Sequence, residues 1–211
     1  PEKPETIMPK FMAVRIIFWH RLVSKGTREA LILLRELHRL SRLYEVQPLI
    51  SITIQSAEVQ YHMNTGLHDE LIEAAKKGLE ISKKTGVHIE DMWFYVHTAV
   101  SFVCRMDCKG AQAWLDKIPL VTVETFPNWA KTLYHLQLAR IALIRKEYGQ
   151  ALYEGELALD LATRIASPIA IVSVQLLLTE LCRIMGKHKE ALQHLEQVHL
   201  YAVQKNSNLY M

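Results

Sequence analysis

Two stretches decide the fold: Gly186-Lys-His-Lys-Glu-Ala191-Leu192 and Lys146-Glu-Tyr-Gly-Gln-Ala151-Leu152, which superpose with a shift of 40 residues. A further step of 40 lands on Met106-Asp-Cys-Lys-Gly-Ala111. Two more land on Gly66-Leu-His-Asp-Glu-Leu71 and Gly26-Thr-Arg-Glu-Ala30-Leu31. Five positions (26, 66, 106, 146 and 186) thus share one turn, and a small or apolar residue follows five later. In the first copy Ala30 points to a register slipped by one. A fixed period held over five copies is the signature of a repeat array, in which each unit cannot bury its apolar face alone.

Each turn is flanked by two helical patterns. Upstream helices, termed A, are expected over 11–24, 48–65, 89–106, 128–145 and 168–185; downstream helices, termed B, over 27–44, 67–85, 109–118, 149–166 and 187–204. Ala151, Gly155, Ala158 and Ala162 form a stripe of small residues along the fourth B helix, allowing close helix approach. Pro119 cuts the third B helix short, and the β-branched run 120–126, closed by Pro127, reads as an irregular loop. The expected fold is an all-α, right-handed superhelical solenoid of about five helix-turn-helix units. Residues 1–10 read as a linker or extended N-terminus and 11–205 as the repeat domain, in units of roughly 11–46, 47–86, 87–126, 127–166 and 167–205. Residues 206–211 read as a C-terminal tail. The opening Pro1 and the PEKPET segment suggest a fragment of something larger.

Composition agrees with this reading. The 211 residues are 50% hydrophobic and 22% charged, ordinary values for a globular chain. Pro at 1, 4, 9, 48, 119, 127 and 168 leaves long Pro-free stretches rich in helix formers. The net charge of +3 does not demand nucleic acid or a membrane surface. The excess is local: residues 1–45 carry nine Lys/Arg against five Asp/Glu. Three Cys (Cys104, Cys108, Cys182) do not make a disulfide framework and suggest reduced thiols in the cytoplasm. No secretory signal or bilayer-length apolar run is visible.

The motif Gly186-x-His188-x-x-Ala191, with Leu178 and Thr179 upstream, resembles the tetratricopeptide repeat. Unit four matches with Leu138-Ala139, Ala142, Tyr148 and Ala151, and unit three with Ala99, Phe102, Cys108 and Ala111. Trp19 and Val59 depart from the small residue usual at their position, and the Pro that closes a 34-residue repeat is missing. Over about 128–204 the chain also resembles the MalT-like regions of LuxR-type bacterial transcriptional regulators. That resemblance implies a sensor segment binding an inducer or protein and controlling other domains of a parent protein.

Motifs for chemistry are sparse. Gly186-Lys187 lacks the upstream Gly and following Ser/Thr of a phosphate loop, and no G-x-S-x-G occurs. Cys104 and Cys108 lie four apart without two further metal ligands and read as core. His194 and His199 are five apart and cannot chelate from one helix face. Arg35, Arg39 and Arg42 share a face of the first B helix, open to phosphates or an acidic surface, with a solvated face as the plainer reading.

The groove supplies the functional candidates. Counting back from each turn places Arg140, Glu180 and Arg183 on the inward face of helix A. Trp93 and His97 lie near it in unit three, and Gln60 in unit two. Charges among Ile141, Leu143, Leu181 and Ile184 are costly unless met by water, a partner or each other. Arg140 and Arg183 could hold a carboxylate or peptide terminus, or Glu180 could pair with one of them across adjacent helices. The expectation is therefore a non-enzymatic binding or sensing module without cofactor or metal. Its partner would be a protein, a peptide or a small-molecule inducer. The alternative is a structural role through docking or self-association, because Phe11, Ile16, Ile17, Phe18 and Trp19 crowd one helix.

Overall fold

The computed structural model describes residues 4–24, 26–43 and 47–204. Among these residues there are eleven helices and no strand. They are α1 (Pro4–Ser24), α2 (Thr27–Ser41), α3 (Pro48–Thr65), α4 (His68–Thr85), α5 (Asp91–Cys104), α6 (Cys108–Leu115), α7 (Leu120–Thr125), α8 (Asn128–Ile144), α9 (Tyr148–Arg164), α10 (Pro168–Ile184) and α11 (His188–Gln204). The chain divides into two compact units, Pro1–Ser101 and Phe102–Met211, and the division falls inside α5.

Within the first unit, α1 packs on α2, α2 on α3 and α3 on α4. Within the second, α8 packs on α9, α9 on α10 and α10 on α11, while α6 and α10 both touch α8. Sequential hairpins sharing faces with their neighbours make an all-α helical repeat.

The 40-residue step is written in the backbone. All five turn positions have positive φ: Gly26 at 91°, Gly66 at 72°, Met106 at 59°, Lys146 at 64° and Gly186 at 74°. The residue after four of these turns donates its N–H to the carbonyl five back: Leu67 to His62, Asp107 to Phe102, Glu147 to Ala142 and Lys187 to Cys182. That bond closes a left-handed helix end and satisfies carbonyls the helix leaves open. In the first copy Gly26 itself makes the equivalent bond, to Arg21. The slip of one is therefore real, and Ala30 takes the buried place that Leu71, Ala111 and Ala151 take in later copies, all four fully buried.

The small-residue stripes do what their size allows. Ala151, Gly155, Ala158 and Ala162 are buried on α9, where a methyl at Gly155 would come within 2.7 Å of the Leu178 side chain on α10. On α4, Gly78 admits the ring of Phe94 from α5, and any Cβ there would overlap that ring. Phe11 and Phe18 of α1 are also buried, but Ile16, Ile17 and Trp19 are exposed.

Three expectations change. Residues 4–10, read as linker, belong to α1, which carries Pro9 inside it; a proline in the first turns of a helix removes few hydrogen bonds. The run read as an irregular loop contains a short helix, α7, entered at Pro119 and left at the extended Phe126. Cys104, read as core, is exposed as the last residue of α5, whereas Cys108 is half-buried and Cys182 buried. Residues 1–3, 25, 44–46 and 205–211, with the expected tail 206–211, lie outside the described residues.

Candidate functional site

The A helices of the first unit are α1, α3 and the start of α5. On α5, Trp93 and His97 stand one turn apart with ring centroids 3.9 Å from each other. Trp19 of α1 meets Trp93 edge to face at 6.3 Å. His97 is 8% exposed, and its Nδ1–H donates to the Trp93 carbonyl at 2.9 Å. Burial pushes the His97 imidazole down to about 4, with that backbone bond opposing weakly, so the ring is neutral at physiological pH. His97 is thus a packed, uncharged member of an aromatic cluster. Gln60 sits half-buried on α3, where its backbone carbonyl accepts from Asn64 at 2.8 Å.

An ion pair that the sequence did not suggest crosses this layer. Arg15 of α1 donates to Glu90 at 2.7 Å, just before α5, and the buried Ser56 hydroxyl of α3 donates to the other Glu90 oxygen at 3.2 Å. No local motif links residues 15, 56 and 90, so only the tertiary structure reveals the connection.

In the second unit the A helices are α8 and α10. Arg183 and Glu180 make a bidentate pair on α10, at 2.7 and 2.6 Å. Both are exposed, so the pair is screened by water and adds little. Its hydrogen bonds hold the Glu180 carboxyl below, and the Arg183 guanidinium above, their ordinary values. Glu180 therefore pairs, but three residues along its own helix. Arg183 is neutralised and is a weak candidate for recognising a partner.

Arg140 differs. It is half-buried on α8, and its Nη1 donates to the Gln137 amide oxygen at 3.4 Å, a long bond. Burial pulls its pKa below the ordinary value, opposed by negative charge at the nearby Cys104 sulfur. No carboxylate lies within ion-pair distance of Arg140 among the described residues. Gln137, its partner in that bond, is 1% exposed.

Two partly buried polar pairs in this unit also escape sequence reading. His135 of α8 meets Glu154 of α9 at 2.7 Å, and Gln150 holds the other Glu154 oxygen at 2.8 Å. Forty residues on, Gln175 of α10 meets His194 of α11. The same two positions of the hairpin thus hold a polar contact in both repeats, with different residues on the two sides.

No family model matches the chain, and no curated protein matches it in sequence. Solved structures do. BtubC (BKLC) from P. vanneervenii is similar with a TM-score of 0.67 at 17% identity, over 97% of this chain and 84% of that one. The nearly identical TPR-like repeats of a protein described as a kinesin light chain from Podosopora anserina match in two crystal structures. A point-substituted form gives a TM-score of 0.61 at 15% identity, over 93% of this chain and 96% of that one. The other gives 0.58 at 16% identity, over 97% and 99%. At such identities the likeness speaks for the fold alone: this chain has the all-α, TPR-like helical-repeat fold.

Proposed function

We propose that the chain is a non-enzymatic binding module whose A-helix layer in the second unit receives an extended segment of a protein partner, with Arg140 taking a carboxylate of that segment. The observation that carries this reading is Arg140 itself. A half-buried guanidinium without a carboxylate loses hydration and gains only one long bond to Gln137. An incoming carboxylate would restore charge-assisted bonds in the fork geometry that Arg favours. Repeat folds also present open faces suited to extended ligands. In the first unit, the neutral cluster of Trp19, Trp93 and His97 offers an apolar surface of its own.

The test is a display selection of twelve-residue peptides against the full chain, followed by affinity measurement with Arg140→Glu. The selected peptides are expected to share an acidic residue and to bind the variant at least tenfold more weakly, matching about 1.5–3 kcal/mol for a bond to a charged group. Peptides that bind wild type and variant equally would remove Arg140 from the site. The resemblance of 128–204 to MalT-like regions supports placing the module in a larger regulator. A small inducer in place of a peptide would leave the selection empty. A second reading, self-association, is favoured by exposed Met12, Ile16 and Trp19 on α1 and Leu192, Leu195 and Val203 on α11. A concentration series in light scattering decides it.

A further inference from the structure

We propose that the exposed face of α2 is a separate docking surface for an acidic protein segment that carries an apolar residue. The buried face of α2 is Ala30, Leu34, Leu37 and Leu40. Its opposite side exposes Arg28, Ile32, Arg35 and Arg39, and the turn that ends the helix adds Arg42 and Leu43. Ile32 is 65% exposed and Leu43 50%, so one apolar residue stands within the arginine row and another follows its last member. At 1.5 Å per residue the stretch from Ile32 to Leu43 spans about 16 Å, the reach of about five extended residues.

Cations outnumber carboxylates on this face, with Arg28, Arg35, Arg39 and Arg42 against Glu29 and Glu36. On other helices several exposed cations are matched along the same helix, Lys76 with Glu73, Lys84 with Glu80, Arg164 with Asp160 and Arg183 with Glu180, while among the described residues Lys77 and Lys83 on α4 are not. The carboxylates near α2 are already engaged. Glu36 takes both a bidentate bond from Arg39, at 2.7 and 2.8 Å, and a contact with Lys10 at 3.8 Å. Those cations hold the Glu36 carboxyl below its ordinary value. Glu58 takes His38 at 3.0 Å, and Glu29 takes Arg21 at 3.3 Å. Arg28, Arg35 and Arg42 have no carboxylate within ion-pair distance among the described residues. Like charges spaced three to four residues apart on one helix repel each other, and an acidic partner relieves that repulsion.

Shape agrees with charge. An open depression of about 340 Å³ is lined by Arg35, His38, Arg39 and Arg42. A second, of about 430 Å³, is lined by Ile32, Leu33, Arg35, Glu36 and Arg39. They share Arg35 and Arg39, so cationic and apolar walls alternate along one surface. That alternation fits a peptide with acidic and apolar side chains. Neither depression has a Phe, Tyr or Trp side chain in its wall, which disfavours single-stranded nucleic acid, whose bases stack on such rings.

The probe is a fluorescein-labelled octapeptide of Glu and Asp carrying two Leu, titrated into the full chain by fluorescence anisotropy. Arg35→Glu with Arg42→Glu is expected to weaken binding at least tenfold, and replacing both Leu of the probe by Ser about fivefold. Lys77→Glu with Lys83→Glu, exposed on α4 and outside both proposed surfaces, should leave the affinity unchanged, which separates recognition by this face from general attraction to positive charge. The substituted positions are exposed, and circular dichroism of the double variant checks that it is folded. Absent binding, binding indifferent to the double charge reversal, or tighter binding of a single-stranded oligonucleotide of equal charge would each overturn the proposal.

Discussion

Phe94→Ala is expected to lower the unfolding free energy by about 3–5 kcal/mol, the range for emptying an aromatic site in a core. Phe94 is fully buried, and its ring fills the space that the missing side chain of Gly78 leaves on α4. The partner substitution gives a test of sign. In an exposed helix Gly→Ala stabilises by about 1 kcal/mol, because alanine is the better helix former. At Gly78 the added methyl would overlap the Phe94 ring. Overpacking of this kind costs about 1–3 kcal/mol and exceeds the propensity gain. Urea unfolding followed by circular dichroism should therefore show Gly78→Ala less stable than wild type. A rise in its midpoint would mean that α4 and α5 do not meet through this gap.

The second large effect is a dependence on pH carried by His97. Its folded value of about 4 lies below the ordinary 6.5, with burial as the main cause. Between these pH values the unfolded chain takes up a proton that the folded chain refuses. Stability is then intact above about pH 6.5, declines as pH falls, and has lost about 3 kcal/mol from this group by pH 4. Burial lowers His62 and His194 as well, and both act in the same direction. His97→Phe keeps a ring against Trp93 and removes the titration. Between pH 7.5 and 5 the wild type should lose about 2 kcal/mol more than this variant, read from urea midpoints. Equal losses would show that His97 is protonated in the folded state.

The turns are legible in the sequence because a strict period needs no knowledge of packing. Positions 26, 66, 106, 146 and 186 recur, and each takes a positive φ. Even the slip at Ala30 can be read, since a small residue must meet the neighbouring helix. The N-terminal end of α1 is not legible, because Pro4 and Pro9 mark linkers as readily as first helical turns. The short α7 is hidden by its β-branched residues, whose preferences a local turn between two prolines overrides.

Site residues are less legible than turns. Arg140 stands out in the sequence as a charge among apolar neighbours, and the fold leaves it half-buried. Arg183 stands out for the same reason, although an acidic residue three before it is a sufficient partner. The Arg15–Glu90 pair and the His135–Glu154 pair join residues 75 and 19 apart, and helical periodicity within one element does not show where two elements meet. The equivalence of 135 with 175 and of 154 with 194 lies in the same 40-residue shift, but its meaning depends on the hairpin geometry.

Amide hydrogen exchange on the chain saturated with its selected peptide tests the central claim, that the A-helix layer is the receiving surface. Added protection is expected in α8 and α10, around Arg140, with α9 and α11 exchanging as in the free chain. Protection that falls on α9 and α11 and leaves α8 and α10 unchanged would contradict the account.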